Sequence, residues 1–379
     1  MDFNLNEEQD ILRKTARDFF SKEYPKSLVR KMAEDEKGYT LDLWRKLADL
    51  GWVGLTLPQQ YGGSEGTFLD LVVLLEEMGR ACFLGPFFST VVLGESTILE
   101  GGSEQQKGEL LPKLASGEMI ATLAVTEPSG KYTADGIKAR PTRLDDQYII
   151  EGTKLFVPDA NVADSLIVAA NSSPGGSSEG SISLFLVNRN SPGVVITLLK
   201  TIDGSKQCEV ILNKVSVPVN CVVGAADKGW PVVRKVLQRA AVAQCAEMVG
   251  AAQQVLEMTV AYAKQRVQFG RPIGSYQAIQ HRCVDMLAKA ESCRLITYDV
   301  GWMISQGLPC DKELAMCKAW CSEALRDITT IGHQVHGGIG CMEDHDLPLY
   351  FKRAKAWELS FGDGDFHREI IAQLLLQEA

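Results

Sequence analysis

No apolar run in this chain of 379 residues reaches the roughly 18–20 residues that a membrane-crossing helix needs. The opening Met1-Asp2-Phe3-Asn4-Leu5-Asn6 has neither the basic start nor the apolar stretch of a secretory signal. No glycine run of the G-x-G-x-x-G type follows a strand pattern, so a Rossmann-type dinucleotide turn is not expected. Positive charge is in short supply: 39 Lys and Arg against 48 Asp and Glu give a net charge of −9, which argues against a nucleic-acid partner. None of the ten cysteines forms a C-x-x-C pair. Cys317 and Cys321 share one helix face but have no His pair nearby, so the cysteines read as reduced, mostly buried small residues rather than a metal site or a disulfide framework. A cytoplasmic location is the corresponding expectation.

What is present is an ordinary globular composition, 45% hydrophobic and 23% charged, over a length that suits two or three domains. Apolar residues at three-to-four spacing predict helices over 7–23 and 41–50. The run Leu71-Val72-Val73-Leu74-Leu75 predicts another, closed by Gly79, and 104–115 a short one. From about residue 120 the pattern changes to short β-type runs separated by turn residues: 120–125, 148–150, 155–157, 165–170, 182–187, 194–198 and 209–212. Residues 171–181, with Pro174-Gly175-Gly176-Ser177-Ser178, read as a mobile surface loop of a β-hairpin. Helical spacing returns from Lys228, over 232–266, 275–306, 312–331, 348–359 and 367–375. The expected architecture is α+β, with an all-α domain over 1–118, a β domain of barrel or sandwich type over 119–226, and an all-α bundle over 227–379.

Two segments of the last domain carry recognisable chemistry. In Arg266-Val267-Gln268-Phe269-Gly270-Arg271-Pro272-Ile273-Gly274 and Gln334-Val335-His336-Gly337-Gly338-Ile339-Gly340, helical spacing breaks into a glycine-rich turn. Such turns let backbone N–H groups approach a phosphate, and Arg266 can add a bidentate contact that a lysine could not. Two more segments lie in the β domain: Leu123-Ala124-Val125-Thr126-Glu127-Pro128 and Thr153-Lys154-Leu155-Phe156-Val157-Pro158-Asp159. In this order the set resembles the FAD-binding elements of the acyl-CoA dehydrogenase family, over essentially the whole chain, and the C-terminal helices then correspond to that family's four-helix bundle.

The resemblance implies FAD as cofactor, an acyl-CoA thioester as substrate and an electron-transfer flavoprotein as electron acceptor. It places Leu123, Val125 and Thr126 at the flavin ring and Phe156 packed against it. Pro158 stands where relatives carry a threonine whose hydroxyl meets the ring nitrogen, and it has neither hydroxyl nor N–H to offer. Arg266, Gln268 and Phe269, with Gln277, would contact the FAD of a neighbouring subunit, which implies a homotetramer or a heterotetramer with a similar chain. Gln334, Gly337 and Gly338 would line the pyrophosphate, and Asp363 and Asp365 match positions that face the cofactor.

The family's C-terminal glutamate, the base that removes the α-proton, is missing. Anchoring on Arg368-Glu369-Ile370-Ile371-Ala372 puts Phe361 in its place, and the alternative position on the long helix holds Ala240-Ala241 or Gln238-Arg239. Three readings follow. Another acid has taken the role, Glu95 in Val92-Leu93-Gly94-Glu95-Ser96 first and Glu247 second, which suits a cyclic or substituted acyl group and 1,4- rather than 1,2-elimination. Alternatively the chain is a non-catalytic FAD-binding subunit, or an oxidase- or monooxygenase-like flavoprotein of the same fold.

Overall fold

The computed structural model describes residues 5–173 and 178–378. The centre of the expected mobile loop, 174–177, lies outside the described residues. The helical elements are α1 (Glu7–Glu23), α2 (Lys26–Glu34), α3 (Leu41–Asp49), α4 (Phe68–Ala81), α5 (Ser96–Gly101), α6 (Glu104–Ala115), α7 (Gly229–Gln265), α8 (Gln277–Ser305), α9 (Asp311–His336), α10 (Leu347–Leu359) and α11 (Gly364–Glu378). The strands are β1 (Ala121–Ala124), β2 (Arg140–Leu144), β3 (Gln147–Pro158), β4 (Ser165–Asn171), β5 (Ile182–Asn188), β6 (Val194–Leu199), β7 (Gln207–Pro218), β8 (Val267–Gln268) and β9 (Arg271–Pro272). Helices come first, sheets in the middle and helices last, the α+β order expected from the residue pattern. Among the described residues no helix is long and apolar enough to cross a membrane.

The chain forms two compact units. One contains the residues up to Arg30, Thr67–Phe83 and the chain from Ala241 onward; the other contains Lys31–Gly66 and Leu84–Ala240.

In the first unit, α1 begins with a reciprocal cap. The Asn6 side chain accepts from the Gln9 amide at 2.8 Å, and the Gln9 side chain accepts from the Asn6 amide at 3.1 Å, so two otherwise unpaired donors are satisfied. Helix α4 is buried from Leu71 through Gly79, including Glu76 and Glu77. Both acids are paired. Arg17 of α1 donates to Glu77 at 3.0 and 2.6 Å; Arg294 and the Tyr298 hydroxyl of α8 donate to Glu76 at 2.8 and 2.7 Å. Helices α10 and α11 both pack on α9.

Gly79 does not close α4. The helix runs on to Ala81, and Cys82, in the left-handed region at φ 56°, ends it. The glycine serves a helix crossing. A Cβ on Gly79 would lie 2.0 Å from the Glu247 carbonyl oxygen of α7, and one on Gly250 would lie 1.7 Å from the Glu76 carbonyl oxygen. The two backbones touch through two missing side chains.

In the second unit, a three-stranded sheet has the order β1-β4-β5, with β1 and β4 parallel, and a four-stranded antiparallel sheet has the order β2-β3-β7-β6. Strand β4 is paired on both edges and buried throughout, from Ser165 to Asn171, which explains its apolar run without alternation. Between α4 and α5 the chain forms a π-helix, Phe88–Glu95, which packs on β1.

The crossing gives a direct prediction. Gly250→Ala forces α4 and α7 apart and destabilises the protein by about 3 kcal/mol or more, at the upper end of overpacking effects. A denaturant midpoint close to that of the unaltered protein would refute the close contact.

Candidate active site

Glu95 ends the π-helix and is 1% exposed. Neither of its carboxyl oxygens has a hydrogen-bond partner, and the Thr90 hydroxyl of the same helix and the Thr122 hydroxyl of β1 are likewise buried and unpaired. Buried polar groups are nearly always satisfied, so such a set marks a place prepared for something else. With no cation beside it, burial alone pushes the Glu95 carboxyl well above its ordinary value of 4.5. The π-helix is fastened on two sides. At its start the Ser89 hydroxyl donates to Asp159 Oδ2 at 2.6 Å. At its end Gly94 lies so close to β1 that a Cβ there would meet the Ala121 carbonyl oxygen at 2.9 Å. π-turns occur often at functional sites, because the extra residue in the turn re-aims side chains.

The β elements fastened to this helix are the two that the sequence singles out. Leu123 and Val125 are buried and Thr126 is half-buried. The Thr126 carbonyl accepts from the Leu155 amide at 2.9 Å, which lays the segment alongside β3. Beneath it runs an ion pair that sequence reasoning missed. Lys154, wholly buried, donates to Glu127 Oε1 at 2.6 Å and to the Val125 carbonyl at 3.2 Å. Glu127 also accepts from the Lys138 and Ala139 amides, at 2.8 and 3.0 Å. The signal was present, since Glu127 and Lys154 are each within two residues of a proposed flavin contact. Phe156 sits where the β3–β7 register breaks, at φ 53°, with its ring 58% exposed. A bulge that turns a large apolar ring outward at the expense of backbone strain suits a ring waiting for a planar partner. Pro158 is half-buried and ends β3.

The first unit brings its own two motifs together. The Tyr262 ring stacks on His336 at 4.5 Å, which joins the end of α7 to the end of α9. Arg266 follows the first of these residues and Gly337-Gly338 follow the second. Arg266 leads into the hairpin β8–β9, whose turn residues Phe269 and Gly270 both have positive φ, 53° and 79°, as a tight I′-type turn requires. Phe269 at the tip is 93% exposed, and Arg266, Gln268, Gln277 and Gln334 are exposed as well. Gly337 is at φ 64°, and a Cβ on Gly337 or Gly338 would meet nothing within 4 Å. Open backbone beside an arginine is the donor set a pyrophosphate takes. These residues therefore fit the pyrophosphate of a dinucleotide cofactor.

The remaining candidates are placed differently. Glu247 is 8% exposed and already accepts from Gln244 at 2.6 Å. Asp363 accepts from the Phe366 amide at 2.8 Å at the start of α11, and Asp365 is paired with Arg368 at 3.0 Å. Phe361, which the anchoring on Arg368 sets opposite the family's C-terminal glutamate, is in the left-handed region at φ 58°, and its carbonyl accepts from His367 Nε2 at 3.0 Å. Burial lowers the pKa of His367 to about 4, so the ring is neutral at physiological pH.

Two predictions follow from these environments. Lys154→Met leaves Glu127 as an uncompensated buried charge and costs about 3–5 kcal/mol; it also weakens FAD retention, measured by flavin release during unfolding. For Glu95 the sign is set by the raised folded-state pKa. The unfolded chain ionises this group above 4.5 while the folded one keeps its proton, so stability is lost as pH rises from 4.5 through the folded value. Glu95→Gln therefore raises the Tm at pH 8 and leaves it unchanged at pH 4; an equal Tm at pH 8 would contradict the unpaired burial.

Three family models match the chain: acyl-CoA dehydrogenase, N-terminal domain, over 6–118; the middle domain over 122–215; and the C-terminal domain over 227–376. The chain is 30% identical to the acryloyl-CoA reductase (NADH) of Anaerotignum propionicum over 384 aligned positions, covering 100% of this chain and 96% of that one. It is 32% identical to the cyclohex-1-ene-1-carbonyl-CoA dehydrogenase of Geobacter metallireducens, covering 98% and 99%. Among solved structures, the FAD complex of PigA matches with a TM-score of 0.93 at 26% identity over 100% of both chains. With all three domain models in order along it, the chain belongs to the acyl-CoA dehydrogenase family and takes FAD as its cofactor.

Proposed function

We propose that this protein dehydrogenates an acyl-CoA thioester, with Glu95 in place of the missing C-terminal glutamate. The observation that carries this reading is a buried carboxyl with neither oxygen engaged, on a π-helix fastened to the strands that lead into the flavin segments. Bound FAD supplies a two-electron hydride acceptor at N5. Glu95 removes the proton from the substrate carbon, and its raised pKa gives it the proton affinity the step needs. Val125, Thr126 and Phe156 hold a flavin ring, Gln334, Gly337 and Gly338 line a pyrophosphate, and Arg266 contacts the FAD of a neighbouring subunit. Phe269, on a hairpin tip exposed to 93%, reaches a neighbouring subunit's FAD in a tetramer. The exposed apolar residues Val284, Leu287 and Leu295 of α8 support self-association. The acyl group is cyclic or substituted, in keeping with an acid displaced from the family's usual position, and electrons leave to an electron-transfer flavoprotein.

The reverse reaction is the second reading. Burial raises the pKa of Glu95, and in its protonated form the carboxyl can give its proton to an enoyl carbon; one relative is an acryloyl-CoA reductase.

An anaerobic titration tests the proposal. The purified FAD protein is bleached by straight-chain or alicyclic acyl-CoAs, whereas Glu95→Gln keeps its FAD and reduces it at least about 10²-fold more slowly, the usual scale for loss of a general base. Near-normal bleaching in Glu95→Gln would remove Glu95 as the base. Binding without bleaching across the panel, in the unaltered protein, would make this chain the silent subunit of a heteromer.

A further inference from the structure

We infer that Cys245, Cys317 and Cys321 form a binding site for one zinc ion in the helical core of the first unit. The three Sγ atoms lie within 4.8 Å of one another, and all three residues are buried. They come from two helices, α7 and α9, and Cys317 and Cys321 are one turn apart on the same face of α9. A tetrahedral zinc with Zn–S bonds of about 2.3 Å spaces its sulfurs roughly 3.8 Å apart, so a contraction of at most about an ångström closes the set. Helix α8 supplies the fourth side. The Thr297 hydroxyl is 3.4 Å from the Cys317 sulfur and 3.5 Å from the Cys321 sulfur, and the Cys321 sulfur is 3.9 Å from the Cys293 carbonyl, one turn earlier on α8. An all-sulfur set in an apolar core selects a thiophilic ion over the oxygen-seeking Mg²⁺ and Ca²⁺.

A second observation points to the charge of the complex. Lys318, next to Cys317, is fully buried. Its ammonium donates to Ser322 Oγ at 3.0 Å and to the carbonyls of Trp357, Glu358 and Gly362 at 3.0, 3.3 and 3.1 Å. All four acceptors are neutral, and a buried cation without an anion is costly. Three thiolates on a divalent ion carry a net charge of −1 (−3 + 2), which balances the lysine; on a monovalent ion the sum would be −2. The balance therefore favours zinc over copper(I). The same lysine holds Trp357, Glu358 and Gly362, which flank Phe361. The metal would thus brace α7, α8 and α9 together with the segment from which the family's usual base has been lost.

The test is the metal content of the purified FAD protein, produced with zinc in the medium and passed through gel filtration. One zinc per chain is expected, lost in Cys317→Ser and in Cys321→Ser but retained in Cys221→Ser, whose half-exposed thiol is outside the cluster. Lys318→Met should weaken zinc retention against a chelator by about tenfold, the lower end of effects seen for groups just outside a metal's ligands. Should the serine variants fail to fold, cobalt(II) exchanged into the unaltered protein gives the same answer, through thiolate-to-cobalt charge-transfer absorption with tetrahedral ligand-field bands. No stoichiometric zinc and no such cobalt spectrum, or a full equivalent of zinc in Cys317→Ser, would show that these thiols only fill the core.

Discussion

Burying a carboxyl group without a single hydrogen bond is the constraint around which this site is built. Water would satisfy Glu95 far better than the fold does, so the rest of the second unit must hold it in place. The π-helix supplies the turn, the Ser89–Asp159 bond fastens its start, and the absence of a side chain at Gly94 lets its end press against β1. The consequence is chemical. Burial without a partner raises the pKa of Glu95, which makes it a poor structural element and, in its ionised form, a stronger proton acceptor than an exposed carboxylate.

The other buried acids show how the same fold treats a carboxylate meant only to hold structure. Glu127 is satisfied by Lys154 and two backbone amides, Glu77 by a two-pronged contact with Arg17, and Glu76 by Arg294 and Tyr298. The first lays the Val125–Thr126 segment against β3; the other two tie α4 to α1 and α8. Against these, the unpaired state of Glu95 is a choice of location rather than a general looseness of packing. The backbone contact of α4 and α7 through Gly79 and Gly250 shows how closely the first unit is packed.

Much of this was legible in the residues. The limits of α1 follow from its three-to-four apolar spacing over 7–23, and the change from helical to β-type spacing near residue 120 marks the start of β1 (Ala121–Ala124). The flavin segments are visible as motifs because glycine and aromatic residues in fixed order have few other uses. What escaped sequence reasoning depends on contacts distant along the chain. Gly79 looks like a helix end and is a crossing point. Phe88–Glu95 has no periodicity that separates a π-helix from an α-helix. Helix α9 continues beyond Ile331 to His336, where the ring stacks on Tyr262. The left-handed backbone of Phe156 becomes apparent only once β3 and β7 are paired, and the three clustered cysteines are 76 positions apart at the extremes, from Cys245 to Cys321.

The most direct test of the central claim is the pH dependence of flavin reduction in a single anaerobic turnover. If Glu95 takes the proton, the rate rises with pH through an apparent pKa well above the ordinary carboxylate value of 4.5, and this limb is absent in Glu95→Gln. A rate that is already level from pH 5 upward, or the same rising limb in the glutamine variant, would contradict the account and place the base elsewhere.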